Sequence, residues 1–193
     1  MAKQAMISHR YKCIFVEVPK TGSTSVRYML GKPIKPHLNL CEIKRMMESY
    51  WVVRGGRKNR ILEWLYLTLP AERRKEWGRR QFESYFKFGF VRNPWDRVVS
   101  SSTCIHSSPH RYQLDWFVDA NGKMLADFIG RFERLQEDWA VVAKKLGVSE
   151  VLPHARANPR PRHYTEYYTP ETQSIIEEKF KVDIETFNYR FGD

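Results

Sequence analysis

The segment PKTGSTS at residues 19–25 combines residue types that together can hold a phosphate group. Gly22 lets the backbone approach an anion closely, and the free N–H groups at the start of a helix point toward it. The hydroxyl groups that could add donors belong to Thr21, Ser23, Thr24 and Ser25. Lys20 precedes the glycine, whereas the lysine of a Walker A loop follows one. The lysine is therefore placed at the mouth of the turn, where it can meet a transferred group. The alternative is an ordinary Ser/Thr-capped helix with an exposed lysine.

A second segment, RNPWDRVVS at residues 92–100, offers a guanidinium and a hydroxyl suited to another phosphate. Arg92 ends an alternating strand pattern, and open α/β sheets bind ligands at the carboxyl ends of their strands. Arg97 and Ser100 lie three residues apart, on one face of the helix that should follow. The alternative is a structural Arg97 paired with a carboxylate and a Ser100 that caps or packs.

Each segment follows a sequence pattern typical of a buried strand. CIFVEV at residues 13–18 is an apolar, β-branched run, and residues 85–91 alternate with a period of two. The composition of residues 23–30 predicts a helix after the first strand, and Asn93-Pro94 should begin one after the second, as N-cap and first helical residue. Two strand-turn-helix units in one chain predict an α/β fold with a mostly parallel sheet.

The other patterns predict one domain over residues 1–193, with a basic helical insertion at about 46–84. We expect a turn at Gly55-Gly56, a helix start at Pro70, a strand over 127–132, a helix over 135–146, a short strand over 150–152, and a final helix from Pro170 through Phe180.

The net charge of +11 favours an anionic partner, which includes nucleic acid, a membrane surface and phosphate-bearing cofactors. Residues 51–84 carry nine basic and four acidic side chains, and no long basic tail is present. The three cysteines have no metal-ligand spacing, which favours a reducing compartment. Without a signal-like start or an 18-residue apolar run, the sequence predicts a cytoplasmic chain with no integral membrane segment. Its oligomeric state is not predicted.

Together, PKTGSTS and FVRNPWDRVVSS resemble the 5′-phosphosulfate loop and 3′-phosphate segment of sulfotransferases that use 3′-phosphoadenosine 5′-phosphosulfate (PAPS). The resemblance is closest to carbohydrate sulfotransferases and related soluble bacterial proteins. DFIGRFERLQEDW, YTEYYTPET and DIETFNYRF extend it over most of the chain. It implies a P-loop-like three-layer fold in which helices flank a central, mostly parallel sheet. Ser102 departs from the pattern, because many relatives have an aromatic residue there.

The resemblance also implies roles for individual residues. Lys20 would contact the bridging oxygen and offset charge on the leaving phosphate, while Gly22 to Ser25 hold the 5′-phosphate. Arg92 and Ser100 would bind the 3′-phosphate, with Arg160 and Arg162 as weaker cofactor contacts. No metal is expected.

Sulfuryl transfer to a hydroxyl also needs a general base, and His37 is the first choice because several relatives place a histidine there. A helix-capping or exposed histidine is the alternative. The reserves are Glu42, His106 and His110, whereas Glu133 is expected to be structural or positioning.

The sequence therefore predicts a PAPS-dependent sulfotransferase whose acceptor is a hydroxyl compound. A glycan is favoured by the resemblance, and the charge of residues 51–84 favours an anionic acceptor; a small alcohol, phenol or peptidyl tyrosine stays open. That stretch could form a lid or acceptor platform, or simply a helix pair with solvated basic faces. The competing functions are a Mg-dependent nucleotide kinase or hydrolase, disfavoured by the missing Walker A order, and a basic nucleic-acid-binding module, for which no motif is present.

Overall fold

The computed structural model describes residues 6–31, 37–49, 68–100, 111–153 and 161–193. These residues contain one four-stranded sheet, ordered β1 (Met6–Ser8), β2 (Cys13–Val16), β3 (Phe86–Val91) and β4 (Phe128–Arg131). β1 runs antiparallel to β2, whereas β2, β3 and β4 are parallel to one another. The predicted α/β fold with a mostly parallel sheet is confirmed.

Helices surround the sheet within the same residue ranges. The α-helices are α1 (Ser23–Leu30), α2 (Leu40–Ser49), α3 (Ala71–Ser84), α4 (Pro94–Val99), α5 (Leu135–Leu146), α6 (Pro170–Lys179) and α7 (Lys181–Phe187). Single turns of 3-10 helix lie at Leu114–Trp116, Phe132–Arg134 and Tyr164–Tyr167. Helices α1 and α5 have the predicted bounds, and α4 begins at Pro94 as expected.

One predicted strand, over residues 150–152, is wrong. The backbone groups there are bonded to a side chain instead of to a neighbouring strand. The Gln136 amide donates to the Glu150 carbonyl at 2.6 Å and accepts from the Leu152 N–H at 3.1 Å. The helix predicted from Pro170 ends within one residue of its expected end, at Lys179, but it is not the last, because the unpredicted α7 follows it directly. The predicted turn at Gly55-Gly56 lies outside the described residues.

The core occupies both faces of the sheet. Alternation along β2 places Ile14 and Val16 in one apolar cluster, and Cys13 and Phe15 in the other. The first cluster includes Leu40, Ile43 and Met47 of α2, and the second includes Val26 of α1 and Trp139, Val142 and Ala143 of α5. Helices therefore cover the sheet on two sides, which makes the three layers that the sequence predicts.

The core holds weak acids that stay neutral, and this predicts loss of stability at alkaline pH. Burial raises the pKa of the Cys13 thiol from 9.0 to about 12, and also raises the pKa of Tyr85, Tyr164 and Tyr189. The unfolded chain releases these protons at a lower pH than the folded chain does. These groups therefore make their full contribution to the free energy of unfolding below about pH 9, and that contribution falls as the pH rises further. Cys13 alone should contribute a slope of about 1.4 kcal/mol per pH unit.

Urea unfolding between pH 8 and pH 10.5 measures this slope. Cys13→Ala is expected to be less stable at pH 8 because it leaves a cavity, but its stability should fall less steeply above pH 9. Equal slopes for the two proteins would contradict the role of the thiol.

Candidate active site

The two phosphate-binding segments that the sequence predicts lie side by side in the structure. Each follows one of two adjacent parallel strands, so both turns lie at the carboxyl edge of the sheet. Arg92 Nη1 donates to the Lys20 carbonyl at 3.1 Å, although the two residues are 72 positions apart in sequence. Arg97 Nε donates to the neighbouring Pro19 carbonyl at 3.3 Å. These bonds join the two turns into one site.

The first turn has an unusual backbone conformation. Lys20 and Gly22 have φ values of 71° and 76°, in the left-handed region that residues with a side chain rarely adopt. Strain of this kind costs on the order of 1–3 kcal/mol and is typical of functional sites. A Cβ at Gly22 would also lie 2.8 Å from Leu135 Cδ2, so a larger residue would have to displace that side chain as well as adopt the left-handed backbone. The Lys20 side chain itself is partly exposed.

The predicted hydroxyl donors of this turn fall into two groups. Thr21 is fully buried and donates to the Val18 carbonyl at 2.9 Å, and Ser23 donates to Glu17 Oε1 at 3.1 Å. Thr24 and Ser25, in the first turn of α1, are only half-buried. We therefore expect Thr24 and Ser25 to offer side-chain donors to an anion, while Thr21 and Ser23 maintain the shape of the turn.

Arg92 is held firmly at the end of β3. Its side chain is buried; Nε donates to Asp96 Oδ2 at 2.6 Å, and the guanidinium lies 4.0 Å from the centre of the Phe132 ring. The Gln113 side chain accepts from the Arg92 N–H at 2.9 Å and donates to its carbonyl at 2.8 Å. Backbone and side chain are both positioned before any ligand binds, as a preorganised anion site requires.

Arg97 and Ser100 behave differently from Arg92. Arg97 is 1% exposed and donates to the Pro19 and Arg111 carbonyls, and its burial lowers the pKa to about 10 although Asp183 partly offsets this. It is therefore a structural residue, bonded to two backbone carbonyls. Ser100 is half-buried and donates to the Arg97 carbonyl at 2.8 Å, which is the helix-end contact foreseen as the alternative to phosphate binding. Its role toward a 3′-phosphate stays a prediction.

His37 lies beside the first turn. Its Nδ1–H donates to the Glu17 carbonyl at 2.9 Å, because a carbonyl oxygen can only accept. In the neutral ring this bond leaves the lone pair on Nε2, the tautomer that a general base needs. The ring also meets Trp116 edge to face, with centroids 6.2 Å apart. His37 is thus oriented from two sides.

The other predicted site residues are less well placed or lie elsewhere. Glu42 Oε2 accepts from the Asn39 N–H at 2.8 Å, in a reciprocal bond that caps α2. Glu133 accepts from the Asn93 N–H at 2.6 Å and from the Tyr189 hydroxyl at 3.1 Å, contacts of a positioning residue. Arg162 is exposed. The residues Arg160, His106 and His110 lie outside the described residues.

Sequence reasoning missed three residues that support the site. Glu17 contacts both Ser23 and His37, and its only signal was a charge within an apolar run. Gln113 forms hydrogen bonds with both the N–H and the carbonyl of Arg92. The Asp183 carboxylate accepts from the Gln113 and Leu114 N–H groups at 2.7 and 3.0 Å. No local pattern identifies Gln113 or Asp183, because their partners are distant in sequence.

Two kinds of feature are absent from the described part of the chain. No group of three or more His, Cys, Asp or Glu side chains in it could hold a metal ion. None of the helices in those ranges has the length and apolar character needed to cross a bilayer.

Comparison with known proteins agrees with the geometry. An uncharacterized protein of Archaeoglobus fulgidus is 35% identical over 94 residues, an alignment that covers 39% of this chain and 78% of that protein. No solved structure matches the chain. The model of the sulfotransferase family matches residues 3–119, which include both turns, His37 and the residues between them. On this match, the chain belongs to the sulfotransferase family.

Proposed function

We propose that this sulfotransferase uses PAPS as its donor and transfers the sulfuryl group to a hydroxyl of a carbohydrate. The observation that carries the proposal is the bond between Arg92 and the Lys20 carbonyl. This bond joins the two turns that we expect to bind anions, and PAPS carries phosphate groups at both its 5′ and 3′ positions. A nucleotide with a single phosphate chain would need only one of the turns.

The residues present fit such a donor. The backbone amides of Gly22, Ser23 and Thr24 would hold the 5′-phosphosulfate, since the N-terminus of a helix favours an anion. The Ser25 N–H already donates to the Gly22 carbonyl at 3.2 Å, so Ser25 would contribute its hydroxyl. Arg92 would hold the 3′-phosphate, with Ser100, Arg160 and Arg162 as further contacts. PAPS supplies the activated sulfuryl group when bound, and no metal ion is needed if Lys20 and Arg92 supply the positive charge.

Two residues of this chain would take part in the chemical step, one by accepting a proton and the other by stabilising negative charge. His37 Nε2 would accept the proton of the acceptor hydroxyl while Nδ1–H stays bonded to the Glu17 carbonyl. Lys20 would place its ammonium against the phosphate as that group leaves. Arg92 donates to the Lys20 carbonyl and so fixes the left-handed backbone of Lys20, which sets the direction in which the lysine side chain leaves the turn.

The surface of α3 supports the proposal that the acceptor is a carbohydrate. An open groove of about 890 Å³ follows this helix from Leu69 to Tyr85 and includes the half-exposed Trp77 and the basic Arg73. Aromatic faces and guanidinium groups suit sugars that carry carboxylate or sulfate groups. The groove supports an acceptor platform in the basic insertion, and the same side chains would also suit a solvated helix face.

A binding titration tests the donor. Calorimetry of the purified protein should detect binding of 3′-phosphoadenosine 5′-phosphate (PAP). Adenosine 5′-monophosphate should bind at least about tenfold more weakly, because it lacks the 3′-phosphate. ATP with Mg²⁺, and a DNA duplex at two salt concentrations, serve as comparisons for a kinase and for a nucleic-acid-binding protein. Absence of PAP binding would end the proposal.

A further inference from the structure

A buried carboxylate lies beneath the turn that is expected to bind a phosphate. Glu17 is 8% exposed, follows β2 directly, and its Oε1 is 3.1 Å from Ser23 Oγ. Ser23 is the first residue of α1, so a negative charge lies next to the helix start where the 5′-phosphate would bind. By itself this charge opposes anion binding, because like charges repel strongly where water is scarce.

Arg27 is the counter-charge. Its Nη1 lies 3.4 Å from Glu17 Oε1, and its Nη2 donates to Thr24 Oγ1 at 3.3 Å. The guanidinium therefore extends back along α1 to its first turn. One side of it touches the carboxylate, and the other touches a hydroxyl that we expect to face the phosphate. Its side chain is 25% exposed, so part of the guanidinium side chain is accessible to solvent.

We propose that Glu17 is a positioning residue that holds Arg27 in a neutral pair and so limits the affinity of this turn for the nucleotide. The inference rests on the proposed function. With Glu17 ionised, the charge of Arg27 is shared between the carboxylate and the bound phosphate. A product that must leave after each turnover is released faster when its binding is limited in this way, and product release limits many enzymes.

A purely structural Glu17 makes a different prediction. If the carboxylate only supports the turn, any change should leave PAP binding equal or weaker, since Ser23 and Arg27 would lose a partner. If its charge matters, Glu17→Gln should bind PAP more tightly, because glutamine still accepts from Ser23 while Arg27 becomes available to the phosphate. The sign of the change separates the two roles.

The experiment measures the Kd for PAP by calorimetry in the 193-residue chain. We expect the Kd to fall about fivefold in Glu17→Gln and to rise about tenfold in Arg27→Gln. The double variant has the wild-type net charge, so its Kd should be close to the wild-type value. These differences should shrink in 1 M NaCl. Asp127→Asn is the matched control, since Asp127 pairs with Lys87 at 2.9 Å at the opposite edge of the sheet; its Kd should not change.

Each outcome has one meaning. Unchanged or weaker PAP binding by folded Glu17→Gln would overturn the inference, as would wild-type affinity in Arg27→Gln. If Glu17→Gln does not fold, judged by its thermal melt, the double variant decides, because PAP binding no tighter than that of Arg27→Gln would overturn the inference. Failure of the wild-type protein to bind PAP would instead contradict the proposed function, so the two failures are distinguishable.

Discussion

Lys20→Ala is expected to slow sulfuryl transfer about 10² to 10³-fold while changing the Kd for PAP less than about threefold. The ammonium group should act mainly when negative charge develops on the leaving phosphate, and removal of a donor of this kind costs turnover more than binding. The backbone amides that hold the phosphate remain in place, since alanine meets the same left-handed strain that Lys20 already tolerates at φ 71°. Single-turnover rates with radiolabelled PAPS and a panel of sugars and phenols would measure the loss.

The chain offers a matched control for this substitution. Lys12 is a second lysine with positive φ, 48°, and it is exposed in the turn between β1 and β2, away from the site. Lys12→Ala removes the same charge from the same type of backbone, and it should retain wild-type turnover. If Lys20→Ala reacts as fast as Lys12→Ala, the ammonium has no part in the transition state.

Gly78→Ala is expected to lower the free energy of unfolding by about 3 kcal/mol. Gly78 is buried where α3 crosses α2, and a Cβ there would lie 2.1 Å from the Met47 carbonyl oxygen and 2.6 Å from its carbon. Backbone cannot move aside as a side chain can, so the helices must separate, at the upper end of the cost of overpacking. Alanine gains about 1 kcal/mol in helix propensity, which is smaller than this cost.

Urea unfolding of Gly78→Ala beside Arg73→Ala tests this packing. Arg73 is exposed on the same helix, so its replacement should change stability by less than about 0.5 kcal/mol. An unchanged or higher stability for Gly78→Ala would mean that the two helices are not in contact at this point. Since α2 begins three residues after His37, separation of the helices should also disturb the position of His37.

The elements next to the site could be predicted because their signals are local. Asn93 accepts from the Trp95 N–H at 3.1 Å, and Pro94 is the first residue of α4, as the sequence indicated. The run at residues 13–18 contains β2, and Gly147 ends α5 in a left-handed conformation. In each case a residue acts on neighbours within a few positions, so the pattern was sufficient.

The other features depend on partners far away in sequence. Residues 150–152 have an extended, apolar pattern, but their backbone groups are bonded to Gln136, 14 and 16 positions earlier. The clamp of Gln113 on Arg92 spans 21 positions. Tertiary contacts of this kind decide which of several locally acceptable conformations forms, and a single sequence does not contain the pairing information.

The adjacency of β2 and β3 has a kinetic consequence. The register pairs Cys13 with Phe86. The chain between these residues must therefore form a closed loop before the turn after β2 can contact the turn after β3. Loop closure over such a length carries an entropic cost before its contacts form, which slows folding of parallel sheets. The proposed nucleotide site should therefore form late in folding, and PAP binding would report on completed β2–β3 pairing.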